Sequence, residues 1–206
     1  DRLGIKPLFL SSDGERIAFG SELKALHAIG VPRDIDPASV ASFLRFGYVP
    51  TPFSIYRNVE KVAPGEIITI AADGKTARRF YWSAMDAARR GIASKLKFSD
   101  EEAIAQLSEL LQDAVSRQML SDVQLGAFLS GGIDSSTVAA LMVRANRVPV
   151  RTVSIGFHEY GFDESKHAAA VARHLGTQHT ARIVSSDEAP AVVPKRAAMH
   201  AEPFSS

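Results

Sequence analysis

The stretch that decides the fold is Gly126-Ala127-Phe128-Leu129-Ser130-Gly131-Gly132-Ile133-Asp134-Ser135-Ser136. An apolar run ends at Leu129, two glycines follow, and a helical pattern begins at once. That order predicts a strand, a tight turn and a helix N-terminus. A helix N-terminus leaves backbone N–H groups unpaired and carries a partial positive charge. Glycines let such a backbone come within hydrogen-bonding reach of a phosphate. Ser130, Ser135 and Ser136 add hydroxyls around the same rim. The lysine of a Walker-type loop is missing, and Asp134 stands in the turn instead. A carboxylate beside a polyphosphate needs a divalent cation between them. Mg²⁺ accepts oxygen ligands from one or two carboxylates together with phosphates. These residues therefore suggest a cradle for a magnesium polyphosphate. The plain alternative is a serine-capped helix after a Gly-Gly turn.

Downstream, the helix that opens here is expected to bury Val138, Leu141, Met142 and Ala145. Arg151 to Phe157 reads as a second strand and Gln178 to Val184 as a third. Between them Asp163-Glu164 opens a helix with Ala168, Val171, Ala172 and Leu175 inward and Gly176 as its stop. Ser186-Asp187-Glu188 would cap a last helix reaching about His200. Upstream, Ser99-Asp100-Glu101-Glu102 is an S-x-x-E capping box. It opens a helix to about Leu120 with Ile104, Leu107, Leu111, Ala114 and Val115 at helical spacing. Val123 to Leu129 reads as the first, buried strand. Strands alternating with helices mean βαβ units and a parallel sheet. Such sheets bind ligands at the carboxyl ends of their strands. The fold class is α/β, with a sheet expected to continue past Ser206.

The first part of the chain has a different grammar. Asp13-Gly14 lies between the apolar residues 5–10 and Ile17-Ala18-Phe19, and predicts a hairpin. Ser21 is placed to cap a short helix that stops at Gly30. Asp36-Pro37 opens another helix with Val40, Phe43 and Leu44 inward and Gly47 at its end. Residues 53–65 read as an irregular connection. Asp73-Gly74 marks a second hairpin between the isoleucines at 67, 68 and 70 and the run to Trp82, which is expected to plug a core. Residues 83–98, small and basic, read as a linker.

At 206 residues, with 46% hydrophobic and 23% charged residues, the chain suits one or two globular domains. A formal net charge of +1 gives no field to draw nucleic acid or a membrane surface. No apolar stretch of about 20 residues and no signal-peptide pattern appears. Zero cysteines exclude disulfides, thiolate metal sites and a cysteine nucleophile in this chain. A cytoplasmic address is the default expectation. His174 and His179 are five apart, a spacing that does not set two imidazoles on one helix face. The chain starts Asp1-Arg2-Leu3-Gly4 and ends Glu202-Pro203-Phe204-Ser205-Ser206, and is expected to be part of a longer protein.

Ser130-Gly131-Gly132-Ile133-Asp134-Ser135-Ser136 resembles the pyrophosphate loop of the N-type ATP pyrophosphatases. The chain as a whole resembles the glutamine-dependent asparagine synthetases. The likeness extends to Asp1–Leu8, Phe19–Leu26, Phe46–Pro50 through Pro64-Gly65, Phe162-Asp163-Glu164, His174–Thr177 with His179, and Glu202-Pro203-Phe204. It implies that residues 1–82 are the C-terminal portion of an Ntn-type glutamine amidotransferase domain, its closing hairpins and helices. Residues 99–206 would be the N-terminal portion of an ATP-dependent synthetase domain of adenine nucleotide alpha hydrolase-like fold.

The implied reaction adenylates the aspartate side-chain carboxylate with release of pyrophosphate, and ammonia from glutamine then displaces AMP. The implied cofactors are ATP and Mg²⁺. The implied partners are small molecules (ATP, aspartate, glutamine), with neither nucleic acid nor membrane, and with room for a homodimer. By the same likeness Leu129, Ser130, Gly131, Gly132, Asp134, Ser135, Ser136 and Ile155 would bind ATP and pyrophosphate. Asp134 would meet the metal, and Asp1 would hold the α-amino group of glutamine. For Leu129 and Ile155 core packing stays open, and for Asp1 an ordinary exposed acid. No catalytic residue is expected within the chain, which alone would be inactive. The alternatives are a related amidotransferase-ligase, of β-lactam synthetase or polysaccharide-amidating type, or a nucleotide-binding remnant.

Overall fold

A computed structural model of the protein describes residues 1–146, 148–157, 164–185, 193–195, 199–200 and 202–203. The contacts divide the chain into two compact units. One comprises Asp1–Leu96 with Pro194–Ser206, the other Lys97–Val193.

The first unit opens with strands β1 (Phe9–Ser12) and β2 (Ile17–Gly20), paired antiparallel across the expected Asp13-Gly14 turn. The Asp13 carboxylate shapes that turn by accepting the amides of Glu15 and Arg16 at 3.0 and 2.7 Å. Helix α1 (Leu23–Ala28) follows, but its N-cap is Glu22, and no side chain caps it. The Ser21 cap is therefore not made: the chain turns helical one residue later. Helix α2 (Pro37–Phe46) matches its signals. Asp36 accepts the Ser39 amide, Pro37 stands at the first position, and Gly47 ends the helix with φ 78°. Leu44 is a correction, since it is 77% exposed, while Val40 and Phe43 do pack inward.

Strand β3 (Val59–Lys61) lies inside the stretch expected to be irregular, and pairs antiparallel with β1. Val-Glu-Lys is too short to show alternation, so only its partner reveals it. The sheet order is β2-β1-β3. Phe9, Leu23, Leu26, Val49, Ile55 and Val59 form the core beside it. A separate hairpin, β4 (Glu66–Ile70) with β5 (Thr76–Phe80), carries Arg78 opposite Ile68. Arg78 is ion-paired with Glu60 and Glu66. Residues 83–98 contain helix α3 (Ala84–Ala93), capped by Ser83 on the Asp86 amide.

The second unit holds helix α4 (Asp100–Gln118), strand β6 (Gly126–Phe128), helix α5 (Ile133–Ala145), strand β7 (Arg151–Phe157), helix α6 (Ser165–Leu175) and strand β8 (Gln178–Val184). The three strands pair parallel in the order β6-β7-β8, so the α/β expectation holds. The Ser99–Glu102 capping box is present in full. Leu129, Ala139, Ala168 and Ala172 form the core under α5 and α6. Burial elsewhere is thinner than the patterns suggest. Ile104, Leu107 and Leu111 of α4 are exposed, as are Val138 and Ala145 of α5. Strand β6 is shorter than expected and its Phe128 is exposed. A 3-10 turn spans Val193–Lys195; most of the helix expected from Ser186 lies outside the described residues.

Candidate phosphate-binding site

Leu129 ends β6 as a fixed point. It is 1% exposed, and its amide donates to the Val153 carbonyl at 2.8 Å, one rung past the ladder. From there a ring of short-range hydrogen bonds folds the turn back on itself. The Ser130 amide donates to Ser135 Oγ at 3.2 Å, and the two hydroxyl oxygens lie 2.9 Å apart. The Gly132 amide donates to Ser130 Oγ at 3.3 Å, and the Ser135 hydroxyl donates to the Gly132 carbonyl at 3.3 Å. Ser130 and Ser135 thus shape the loop from within as well as standing on its rim.

Helix α5 starts at once, with Gly132 as N-cap and no side chain to cap it. Its first intrahelical bond runs from the Ser136 amide to the Gly132 carbonyl at 3.1 Å. The amides of Ile133, Asp134 and Ser135 precede that bond and have no acceptor among the described residues. These are the orphan donors that every helix start must satisfy somehow. Ser136 Oγ is buried and likewise has no partner among the described residues. Asp134 is exposed in the first turn of α5.

The two glycines do different jobs. Gly131 sits at φ 84°, and a Cβ there would come within 2.7 Å of the Ala168 amide nitrogen and of His167 Cβ. It is needed for its conformation and because α6 approaches so closely. Gly132 has an ordinary negative φ of −73°. A Cβ built on it would meet only Ser130 Oγ, at 3.3 Å. Among the described residues the space in front of Gly132 is open, beside the α5 amides that have no acceptor there. An anion suits that space: among the described residues it has uncapped amides beside it and a glycine whose absent side chain leaves the approach clear.

The remaining expected site residues are placed as follows. Leu129 is in the core under the helices, so its side chain packs and only its backbone borders the loop. Ile155 is 51% exposed on β7, whose Thr152, Ser154 and Gly156 are the buried positions. The structure does not bring these two side chains together on one face. Asp1, in the first unit, lines a cavity of about 490 Å³. Its Oδ1 accepts the amides of Leu3, Gly4 and Ile5, and Oδ2 that of Lys6. Among the described residues one lone pair on Oδ2 stays open to a further donor.

Sequence reading did not foresee the place of two groups. His167 stands against Gly131, yet the two are far apart in the chain and only the parallel pairing of β6 with β7 brings them together. His179 joins a polar layer on the buried side of the sheet. Its Nδ1 is 2.9 Å from Thr152 Oγ1 and its Nε2 is 3.2 Å from Ser154 Oγ. Among the described residues no three His, Cys, Asp or Glu side chains gather to hold a metal ion. No helix among them is long and apolar enough to cross a membrane.

Comparison with known proteins covers nearly the whole chain. The profile of the glutamine amidotransferase domain family matches residues 1–82, and that of the asparagine synthase family matches residues 106–206. A Methanocaldococcus jannaschii protein assigned as a glutamine-hydrolyzing asparagine synthetase is 34% identical over 99% of this chain, which covers 39% of that relative. Asparagine synthetase (glutamine-hydrolyzing) 1 of Bacillus subtilis is 30% identical over 95% of this chain, which covers 30% of it. The chain therefore spans between three and four tenths of these relatives' length. A solved NH3-dependent NAD synthetase from Campylobacter jejuni aligns with 45% of this chain and 40% of its own, at 21% identity and a TM-score of 0.35.

Proposed function

This chain belongs to the glutamine-hydrolysing asparagine synthetase family, and from that premise we propose that its second unit binds Mg-ATP at the Leu129–Ser136 loop. The whole protein then uses ATP to activate the side-chain carboxylate of aspartate and glutamine as the source of nitrogen. The observation that carries this reading is the front of Gly132, open among the described residues, beside three amides at the start of α5 with no acceptor among them.

Bound there, ATP supplies a good leaving group in pyrophosphate. The chain's own residues supply its reception. The amides of Ile133, Asp134 and Ser135 face charge that grows on the departing phosphates, and preorganised donors of this kind act without having to reorient. Ser136 Oγ gains the partner it lacks. Asp134 is the carboxylate at hand for a magnesium ion shared with phosphate oxygens. Ser130 and Ser135 hold the turn in shape through their mutual hydrogen bonds. The first unit contributes Asp1 to the glutamine side, where one free lone pair suits an ammonium. The chain contains no cysteine, so thiolate-based glutamine hydrolysis lies outside these residues. The proposal assigns no turnover to these 206 residues alone.

Calorimetric titration of the chain with Mg-ATP tests the reading. Wild type should bind saturably. Gly132→Ala should melt like wild type but bind at least about tenfold more weakly, since its methyl enters the anion's space. Asp134→Ala should lose the dependence on magnesium. Unaltered affinity in Gly132→Ala would remove the backbone cradle from the account. In the full-length protein, Asp134→Ala should stop aspartate-dependent pyrophosphate release and spare glutamine hydrolysis. If wild type releases no pyrophosphate with aspartate, the acceptor is another carboxylate.

A further inference from the structure

Helix α6 begins beside the loop, and its first turn is built against expectation. A helix N-terminus favours acids, and cations belong at the other end. Here the first helical positions are Ser165, Lys166 and His167, with no acid among them. Glu164 stands at the N-cap, but its side chain makes no capping hydrogen bond. Lys166 and His167 are both exposed. The nearest amide, that of Ala168, is already satisfied by the Glu164 carbonyl at 3.0 Å. What this turn offers the loop is therefore a side chain. His167 Cβ lies 2.7 Å from the point that a methyl on Gly131 would occupy, so the imidazole is rooted directly against the glycine turn.

We propose that His167 is a binding residue for the polyphosphate seated on the Gly131-Gly132 turn, its ring N–H donating to a phosphate oxygen. This rests on the loop reading above and extends it. Two helix starts then converge on one anion, α5 with backbone amides and α6 with an imidazole. The unfavourable placement of a basic side chain at the start of α6 is offset when the anion is present.

The test uses the 206-residue chain and two probes, Mg-ATP and Mg-pyrophosphate, titrated at neutral pH. His167→Ala should weaken both by about tenfold, the scale of one charge-assisted hydrogen bond. His167→Asn keeps a donor and should recover part of the loss. Lys166→Ala, one position away, should change either affinity by no more than about twofold. Because His167 is exposed, all three variants should melt with wild type; should His167→Ala melt early, His167→Asn decides. Wild-type affinity in His167→Ala, with wild type itself binding, overturns the histidine and leaves the loop reading standing. Loss of ATP affinity without loss of pyrophosphate affinity overturns the phosphate contact. Equal losses in Lys166→Ala and His167→Ala reduce the effect to general charge and also overturn it. A wild-type chain that binds neither probe removes the loop reading and this one together.

Discussion

Gly131 and Gly132 are neighbours with opposite tolerances. At Gly131 an added methyl would strike α6 backbone atoms, which cannot swing aside, in a conformation that side chains rarely adopt. Gly131→Ala should therefore lower the unfolding free energy of the second unit by roughly 2 kcal/mol. Denaturant unfolding followed by circular dichroism checks this, and a stability equal to wild type would mean α6 can retreat. Asp36 gives a pH-dependent case. The Ser39 hydroxyl, first, and then the Ser39 and Ala38 amides hold its carboxyl below the usual aspartate range, against the opposing effect of burial. A depressed folded value means that the stabilisation is present above the ordinary aspartate range, near pH 3.9, and fades as pH falls through the lowered value. Asp36→Asn keeps a good cap that does not titrate. Its acid unfolding, followed by the fluorescence of Trp82, the single tryptophan, should lose part of the wild-type pH dependence. Identical acid limbs would contradict the assignment. These residues were legible because caps and turn glycines act within a few positions of themselves. His167 was not, because its meaning depends on a neighbour reached through the sheet.

Elements divide along the same line. Helices α2 and α4 announce themselves by Asp36-Pro37 and Ser99-x-x-Glu102, and both caps are made as written. Strand β3 and helix α3 do not: one is three residues long, and the other is a small, basic segment with little apolar signal. Periodicity also shows which face of α4 would bury, but not whether anything lies against it. Ile104 and Leu107 are 68% and 56% exposed. On β7 the surprise is chemical, since its buried positions are Thr152, Ser154 and Gly156, while Val153, Ile155 and Phe157 are exposed. Thr152 is fully buried, and its hydroxyl lies 2.8 Å from Thr177 Oγ1 as well as beside His179. His179→Leu should strand the Ser154 hydroxyl and weaken the Thr152 one, costing about 2 kcal/mol of second-unit stability. The double variant with Ser154→Ala should recover part of that cost. If it falls further than the single variant, the polar layer is not a matched set.

At the scale of the whole molecule, the first unit takes residues from both ends of the chain. Glu202 ties them together. Its Oε1 accepts the Ile55 amide at 2.7 Å and its Oε2 pairs with Lys61, whose ammonium also donates to the Val49 carbonyl at 2.6 Å. Both side chains are largely buried, at 15% and 11% exposure. Breaking such a pair from one side leaves an uncompensated charge. Lys61→Met should destabilise the first unit by roughly 3 kcal/mol, read by Trp82, while the second unit melts as before. A Trp82 transition unmoved by the substitution would show that the pair contributes little. Nothing in the sequence flagged Glu202 beyond the family likeness, because Lys61 and Glu202 are joined only by the folded path of the chain.

That path has a practical side. A gene fragment stopping at Leu96, the obvious cut for isolating the first unit, would discard the carboxylate on which Lys61 and the Ile55 amide depend. A faithful miniature would have to excise the interior instead and splice Pro194 onward back through a designed linker.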